Sequence, residues 1–412
     1  MRRVVVTGSG VISALGDTPE ILHNALCEGC SSLRPIDQFA TEALNCQQAG
    51  EIKDFSPQNY MGDANLRPLD RTARLVIAAA RQTLEASGWS AAMLDEGEVG
   101  IVLGTIFGSA RTIAEFDRRG LTAGPAYVKP LDFANTVVNA AAGQTAIWHR
   151  LRGINSTIAT GVSSGLQALA YATDLIRSGR TRALLAGGAE ELCFESYFGF
   201  DRAGLLCGSD PKRNSGEYPI PFDARRNGFA LGEGAAFLML EDAEVAAERG
   251  ATTVAEIGGH GRGFDGTCGS GGPKAVEVMA RTMRQALCDA GHSPAAIDCA
   301  SAAASGSVLG DRCEALALAE VFAGRAAPLP VTAVKSMLGE TLGASGAMQA
   351  VALIEAMRSG VLPGIPGLEQ IEANFPLAAG PQKRKLNLDS GLINSFGFDG
   401  NCCALVLERK AA

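Results

Sequence analysis

Histidine is scarce in this sequence, and a basic charge excess and long apolar runs are absent from it. The 412 residues carry a net charge of −8, so nucleic acid is not an expected partner. No stretch approaches the ~18 consecutive apolar residues that a membrane-spanning helix requires, so no membrane partner is expected either. Histidine occurs at four scattered positions: His23, His149, His260 and His292.

Cysteine is plentiful by contrast, with eleven residues spread from Cys27 to Cys403. No pair of cysteines has zinc-finger spacing, and with the histidines scattered this pattern predicts no metal site. The odd number favours small buried thiols in a reducing compartment, so we expect a cytoplasmic protein. The apolar run at residues 4–6 is too short for a signal peptide, and it predicts a strand followed by a tight glycine turn over residues 7–10.

Two pairs of segments repeat each other in the same order. Residues 164–179 read SGLQALAYATDLIRSG and residues 345–360 read SGAMQAVALIEAMRSG. Each predicts a helix rich in small residues that ends at glycine. Residues 227–242 then read NGFALGEGAAFLMLED, and residues 394–409 read NSFGFDGNCCALVLER. Each of these predicts a glycine-rich hairpin that runs into an apolar strand.

The matching order of the repeats indicates a duplicated α/β unit. Apolar runs at residues 182–186 and 297–302 predict buried strands, and residues 72–86 predict a helix. Buried strands that alternate with helices imply sheets covered on both faces, and the small residues suggest close packing between two sheet layers. We place the boundary between the halves near residue 250, which gives residues 1–250 and 251–412.

Six motifs follow one another along nearly the whole chain. They are VVVTGSGVISALG (4–16), NAAAGQ (139–144), PFDARRNGFALGEGA (221–235), LGD (309–311), VKSMLGETLGASG (334–346) and NSFGFDGN (394–401). Together they resemble the β-ketoacyl-acyl-carrier-protein synthases of the elongating, two-histidine type. The resemblance implies a thiolase-like α/β fold, in which two duplicated halves form a layered α-β-α-β-α core.

Enzymes of this family hold an acyl chain on a cysteine and condense it with a malonyl unit carried by an acyl carrier protein. The cysteine thiolate lies at a helix N-terminus, and two neutral histidines donate hydrogen bonds to the enolate that decarboxylation leaves. The cysteine motif resembles T-A-C-(S/T)-S-G, and residues 160–165 read TGVSSG, which puts Val162 at the nucleophile. Ala303 stands at the first histidine, and Glu340 stands at the second, in the motif that resembles K-S-x-x-G-H.

The resemblance therefore implies that no catalytic residue is present. Valine has no nucleophilic atom, and a carboxylate at position 340 cannot donate a hydrogen bond unless it is protonated. We expect no cofactor, because the phosphopantetheine arm of a carrier protein would be presented to a partner subunit. The retained active-site frame consists of Lys335, Asp311, Glu314, Phe396 and Phe398. A retained frame without the reactive groups favours a non-catalytic role over general decay.

Chain-length factors are family members of this kind. In aromatic-polyketide and aryl-polyene pathways, one subunit of a ketosynthase heterodimer lacks the cysteine and shapes the pocket for the partner's growing chain. The resemblance implies the same function here, with an active ketosynthase and an acyl carrier protein as partners. Side-chain volume at the pocket floor would set how many carbons fit. Residues expected at the pocket or the partner interface are Thr105, Ile106, Phe107, Phe133, Thr136 and Val137.

Ordinary core packing explains Ile106, Phe107 and Val137 equally well at this point. Two departures from the family pattern are also notable. Aromatic-polyketide chain-length factors usually carry glutamine at the position of Val162, so valine favours the polyene-type heterodimers. Asp399 stands where the family's gating loop, F-G-G-T-N, has glycine. It puts a charge near the pocket entrance and predicts a locked loop.

Three other interpretations fit the residues. Glu340 and Lys335 would form an acid–base pair for hydrolysis or isomerisation, or an ion pair that fills the vacated site. The chain would alternatively be a structural or carrier-docking subunit with no influence on product length. Cys193 or Cys207 would be a nucleophile elsewhere, although neither lies at the helix N-terminus that the chemistry uses.

Overall fold

A computed structural model of the chain describes residues 2–96, 99–208, 218–269, 271–372, 375 and 377–409. The strands in these ranges are β1 (Val4–Ser13), β2 (Arg34–Pro35), β3 (Gln48–Gly50), β4 (Gly100–Gly104), β5 (Asn155–Ile158), β6 (Ala183–Glu190), β7 (Leu231–Gly232), β8 (Gly234–Asp242), β9 (Ala255–Phe264), β10 (Cys299–Ser301), β11 (Val331–Thr332), β12 (Val361–Leu362), β13 (Arg384–Lys385), β14 (Ser390–Phe396) and β15 (Asn401–Glu408).

The α-helices in the same ranges are α1 (Pro19–Cys27), α2 (Gln58–Met61), α3 (Arg71–Ala86), α4 (Ala91–Glu96), α5 (Ala110–Thr122), α6 (Pro130–Phe133), α7 (Ala140–His149), α8 (Ser164–Arg177), α9 (Phe194–Arg202), α10 (Ala243–Glu248), α11 (Pro273–Asp289), α12 (Val308–Val321), α13 (Lys335–Leu338) and α14 (Ser345–Ser359). Short 3-10 helices cover Pro125–Tyr127, Pro294–Ala296 and Leu342–Ala344. No helix in the described part of the chain is long and apolar enough to cross a membrane.

A mixed sheet of ten strands has the order β11-β10-β14-β15-β9-β1-β8-β6-β4-β5. It consists of two five-stranded halves, and β1 joins β9 through the pairs Val5↔Glu256 and Val6↔Ala255. Read outwards from this junction, the strands are β1-β8-β6-β4-β5 in the first half and β9-β15-β14-β10-β11 in the second. In both halves, the first strand is followed by the last, the fourth, the second and the third sheet strand of that half. The duplicated α/β unit that the sequence repeats predict is therefore confirmed.

Helices form three layers around the two halves of the sheet. α8 and α14 lie in the middle, where residues such as Leu166 and Met348 pack against strands of both halves. α3 and α7 cover the outer face of the first half, and α11 and α12 cover the outer face of the second. Small residues allow the central helices to approach closely, since a Cβ on Gly346 would lie 2.6 Å from Cβ of Leu166. The chain thus has the thiolase-like α-β-α-β-α layering.

The repeated segments take the predicted structure with one exception. α8 and α14 are the two repeated helices, and Gly360 ends α14 in the left-handed conformation. In the second half, β14 and β15 form the predicted antiparallel hairpin. The hairpin predicted at residues 227–242 is wrong, because β7 pairs in parallel with β3 instead of folding back on β8. The strands that β8 pairs with are β1 and β6, both antiparallel.

The predicted turn at residues 7–10 is also wrong, because β1 continues to Ser13. Its glycines serve close packing instead of chain reversal. A Cβ on Gly8 would lie 2.6 Å from the backbone nitrogen of Ser87, and one on Gly10 would overlap the carbonyl oxygen of Ala79. Both contacts are made at helix α3 or its C-terminal end.

The remaining sequence predictions agree with the elements. The helix predicted at residues 72–86 is α3, and the strands predicted at 182–186 and 297–302 are β6 and β10. Since the strands of the two halves form one sheet, the boundary placed near residue 250 stays a prediction.

Candidate functional site

A cavity of about 250 Å³ opens between the start of α8 and the loops that follow β10 and β14. Its lining includes Val162, Ala303, Glu340, Asp311, Glu314, Phe396 and Phe398. The fold therefore brings together the three positions at which the sequence lacks a reactive group. Lys335 reaches the same place through its contact with Glu340.

Val162 occupies the tight turn that begins helix α8. Gly161 precedes it with φ of +61°, and the Ser164 hydroxyl donates to the Gly161 carbonyl oxygen at 2.6 Å. The Ser163 hydroxyl donates to the carbonyl oxygen of Thr160 at 2.8 Å. Both serine hydroxyls thus stabilise the turn, and the side chain that faces the cavity from it is the 2% exposed isopropyl group of Val162.

Lys335 and Glu340 form a buried ion pair beside the cavity. Lys335 Nζ lies 2.7 Å from Glu340 Oε2, and the two side chains are 3% and 4% exposed. The other carboxylate oxygen, Oε1, accepts hydrogen bonds from the backbone N–H of Leu342 at 3.0 Å and from the Ser345 hydroxyl. Every carboxylate oxygen therefore has a donor, which is the condition under which a buried ion pair is tolerated.

Two buried carboxylates hold the loop that carries Ala303. Glu314 Oε1 accepts from the backbone N–H of Ala303 and from the Asn394 amide, both at 2.9 Å. Burial raises the pKa of Glu314 to about 7. Asp311 accepts from the backbone N–H groups of Ser305 and Gly306 at 3.1 Å. These two predicted frame residues thus fix the backbone around Ala303, where the family resemblance leads us to expect a histidine.

Gln349 on α14 is a site residue that the sequence reasoning missed. Its amide nitrogen faces four oxygens: the carbonyl oxygens of Ser301, Ala302 and Asn394 and the Ser301 hydroxyl, at 2.8 to 3.2 Å. The one signal in the sequence is that Gln349 is a lone amide among the small and apolar residues of its helix. It joins β10 to β14 directly behind the cavity.

Asp399 ties the loop after β14 to the start of α8. Its Oδ1 accepts from the backbone N–H of Asn401 at 2.9 Å. Its carboxylate lies so close to Gly161 that a Cβ on that residue would overlap it. This contact supports the locked loop that the sequence predicts.

A run of aromatic contacts leads from the cavity to the surface. Phe398 and Phe229 line the cavity, and their ring centroids lie 5.4 Å and 5.7 Å from that of Phe200. The Phe200 centroid is in turn 6.2 Å from that of Phe107, which is 39% exposed. The predicted pocket residue Phe107 thus connects to the cavity through one side chain.

The carboxylate of Glu190 fixes the loop that carries Phe107. It accepts from the Thr105 hydroxyl at 3.2 Å and from the backbone N–H groups of Ile106 at 2.7 Å and Phe107 at 2.9 Å. The N–H of Gly343 donates to it as well, at 3.2 Å. Thr105 is buried and Ile106 is half-buried, so these two lie inside the fold while Phe107 reaches the surface.

Several exposed apolar side chains lie among residues 107–147, the segment that also holds the other predicted interface residues. Phe133 and Val137 are 67% and 52% exposed, and Thr136 between them is half-buried. Core packing therefore does not explain Val137. No residue of α5 is buried. The exposed large apolar side chains of this segment are Phe107, Leu121, Tyr127, Leu131, Phe133, Val137, Val138 and Ile147.

Neither alternative cysteine is among the described residues that line the cavity. Burial raises the pKa of the Cys193 thiol to about 11, so almost no thiolate forms at neutral pH. Cys207 is fully buried, with its sulfur 3.8 Å from that of Cys46. Both thiols are buried, whereas a nucleophilic cysteine is at least partly exposed.

Comparison with known proteins identifies the family. The family model for the beta-ketoacyl synthase N-terminal domain matches residues 1–246, and the model for the C-terminal domain matches residues 254–369. The chain belongs to the β-ketoacyl synthase family. Within it, a 3-oxoacyl-[acyl-carrier-protein] synthase 2 of Coxiella burnetii is 32% identical over 412 residues, with 99% of each chain covered.

Solved structures of the β-ketoacyl synthase family have the same fold. A structure of the ishigamide ketosynthase/chain length factor superposes with a TM-score of 0.92 at 32% identity, covering 100% of both chains. A type II polyketide synthase acyl-carrier protein in complex with its ketosynthase gives a TM-score of 0.87 at 26% identity, also with 100% of both chains covered. The chain is thus similar both to synthases and to a ketosynthase/chain length factor.

Proposed function

We propose that this chain is a non-catalytic chain-length factor that pairs with an active ketosynthase in the cytoplasm. The observation that carries the proposal is the cavity, where Val162, Ala303 and Glu340 meet at the positions of the reactive groups. A side chain that accepts an acyl group and two that donate to an enolate are required for the condensation. An isopropyl group, a methyl group and a paired carboxylate meet none of these requirements.

The Lys335–Glu340 pair also argues against a different thioester chemistry. A general base must lie within hydrogen-bond reach of the proton that it abstracts, and its side chain must be free to turn towards that proton. Both oxygens of Glu340 already accept hydrogen bonds from Lys335, Leu342 and Ser345. The pair therefore fills the vacated position, which favours the structural interpretation of these two residues.

The exposed apolar side chains of residues 107–147 support pairing with a second chain of the same fold. Groups of exposed apolar side chains mark protein interfaces, and no residue of α5 is fully buried in this chain alone. β5 is one of the two edge strands of the ten-stranded sheet among the described residues, and it packs beside α7. An outer strand can pair with the edge strand of another sheet. A ketosynthase partner with a similar edge would satisfy both features.

The aromatic run supports an influence on chain length. Phe107 lies on the proposed interface and contacts Phe200, which contacts cavity residues. In the complex, Phe107, Phe133 and Thr136 would border the partner's acyl pocket, and their volume would limit how far the chain extends. An acyl carrier protein would deliver its phosphopantetheine arm to the partner's cysteine. This chain is similar to a solved structure in which an acyl-carrier protein is in complex with its ketosynthase. That similarity supports an acyl carrier protein as a partner.

Co-expression with a candidate active ketosynthase from the same organism tests the pairing. We expect the two chains to copurify in equal amounts, and Phe133→Asp to abolish copurification by placing a charge in the apolar interface. Phe264→Asp is the matched control, since Phe264 is 56% exposed and lies outside residues 107–147. Copurification that survives Phe133→Asp, or fails equally with Phe264→Asp, would contradict the proposed interface.

A further inference from the structure

Cys27 and Cys30 lie in one turn at the end of α1. Cys27 is the last residue of the helix, and Gly29 follows in the left-handed conformation with φ of +69°. The N–H of Gly29 donates to the carbonyl oxygen of Leu26 at 3.1 Å, and the N–H of Cys30 donates to that of Ala25 at 3.0 Å. These two hydrogen bonds fold the chain back over the last helical turn, so the two cysteines belong to one fixed turn.

Both thiols of this turn can be reached from solvent. Cys30 is exposed and Cys27 is half-buried. Cys30 also lines a second cavity, of about 560 Å³, which shares no lining residue with the cavity described above. A cavity of this size is typical of small-molecule sites. A low-mass compound therefore has room to lie beside the Cys30 sulfur.

The two thiols differ in their surroundings. Burial raises the pKa of the Cys27 thiol, Lys383 opposes that rise and Glu28 adds to it. Since the thiolate is the attacking form and must reach its target, the exposed Cys30 is the better first nucleophile. Nε2 of His23 lies 3.4 Å from Cys27 Sγ, and burial lowers the pKa of His23 to about 4. The imidazole is therefore neutral at neutral pH and can hold the Cys27 thiol beside Cys30 by a hydrogen bond.

The spacing of the pair is typical of thiol–disulfide exchange. Cys27 and Cys30 are separated by two residues, as in the C-x-x-C motif of redox-active dithiols. The described part of the chain holds no group of three or more His, Cys, Asp or Glu side chains that could bind a metal ion. The pair therefore lacks the further ligands that a zinc site requires.

We propose that Cys27 and Cys30 form a reversible disulfide by exchange with a low-mass disulfide that enters the second cavity. The Cys30 thiolate attacks one sulfur of that disulfide, so a mixed disulfide forms and the other half leaves as a thiolate, which takes up the proton that Cys30 lost. The Cys27 thiolate then attacks the Cys30 sulfur, which closes the Cys27–Cys30 bond and releases the second half as a thiol with the Cys27 proton. Two thiols of the chain are oxidised, and one disulfide molecule is reduced to two thiols.

The proposed exchange does not depend on pairing with a ketosynthase, because both cysteines and the cavity belong to this chain. An excess of the reduced low-mass thiol reverses the two steps and restores both cysteines. The pair would therefore respond to the balance between thiols and disulfides around the protein.

Peptide mapping of the purified, reduced chain after exposure to oxidised glutathione tests the proposal. We expect one peptide that contains Cys27 and Cys30, has lost two hydrogen atoms and carries no glutathione. Cys27→Ser should stop the reaction at the mixed disulfide, so that glutathione stays on Cys30. Cys30→Ser should slow the reaction of Cys27 at least ten-fold, because the exposed nucleophile is gone.

Cys288→Ser is the matched control, since Cys288 is exposed and no second cysteine lies in its helix α11. We expect this variant to close the Cys27–Cys30 bond as the wild-type chain does. In the wild-type chain, glutathione attached to Cys288 should remain there because no neighbouring thiol displaces it. Glutathione that stays on Cys30 of the wild-type chain, or Cys27 and Cys30 thiols that remain reduced, would overturn the proposal.

Discussion

The carboxylate of Asp399 lies directly against Gly161 at the start of α8, in space that a side chain on Gly161 would need. Both residues depart from the family pattern, which has alanine in the cysteine motif at position 161 and glycine in the gating loop at position 399. The two departures meet in space although 238 residues separate them in the chain (399 − 161). The carboxylate of Asp399 therefore occupies space that the lack of a side chain at Gly161 leaves free.

Substitution at this contact should show coupling between the two residues. Gly161→Ala puts a methyl group into the Asp399 carboxylate and a Cβ on a residue with φ of +61°, so we expect a loss of about 2 kcal/mol. Asp399→Gly removes the overlap, and the double variant should lose less stability than the two single losses added together. Urea unfolding of the four proteins measures this coupling, and strict additivity would contradict it.

Lys335 should be important for stability through its ion pair with Glu340. Lys335→Met leaves the carboxylate of Glu340 buried without its cation, which costs about 3–5 kcal/mol. Replacing both residues, Lys335→Met with Glu340→Leu, should restore much of that loss because no unpaired charge remains. Denaturant unfolding compares the variants. A double variant that is less stable than the Lys335→Met single variant would show that the pair does not act as described.

Glu314 should make the protein less stable as the pH rises towards neutrality. The pKa of Glu314 is about 7 in the folded chain, whereas that of an ordinary glutamate side chain is 4.5. Between these two pH values the folded state therefore binds more protons than the unfolded state. Stability therefore falls as the pH rises through this range, by at most about 3 kcal/mol from this group. Glu314→Gln should remove that share of the fall, measured by urea unfolding between pH 4.5 and 8.

Glu190 and Glu191, whose pKa values burial raises to about 7 and about 8, contribute a similar fall in both proteins. Their contributions to the pH dependence of stability therefore cancel in the difference between wild type and Glu314→Gln. A difference that is independent of pH would contradict the assignment to Glu314.

Gln349 should tolerate a neutral replacement better than an acidic one. Gln349→Glu would place a carboxylate among four acceptor oxygens from Ser301, Ala302 and Asn394, and a buried charge of this kind costs several kcal/mol. Gln349→Met is the control of similar length, which leaves the oxygens unpaired but adds no charge. Thermal unfolding at pH 8 should place the glutamate variant below the methionine variant, and the reverse order would disprove the repulsion.

The sequence predicted features that depend on local pattern or on ordered motifs. The small-residue helices α8 and α14 are each encoded in a contiguous segment, and the common location of Val162, Ala303 and Glu340 is implied by the resemblance of their three motifs to one family. Features that depend on distant packing were missed. The glycines of β1 signalled a turn, and the helix α3 that requires them lies far along the chain.

Gln349 was missed for the same physical reason. The four oxygens around its amide come from β10, the residue after it and β14, and no local pattern marks their convergence. Composition alone could not show that the large apolar side chains of residues 107–147 are exposed, since apolar residues are equally expected in a core.

The mass of the products made by the complex tests the chain-length role most directly. Thr136→Phe should add volume where the partner's chain extends, and Thr252→Phe makes the same change at an exposed position outside residues 107–147. With the partner ketosynthase and its carrier protein, we predict that Thr136→Phe shifts the products to shorter chains and that Thr252→Phe leaves them unchanged. An unchanged product distribution in a Thr136→Phe complex that still assembles would contradict length control by this subunit.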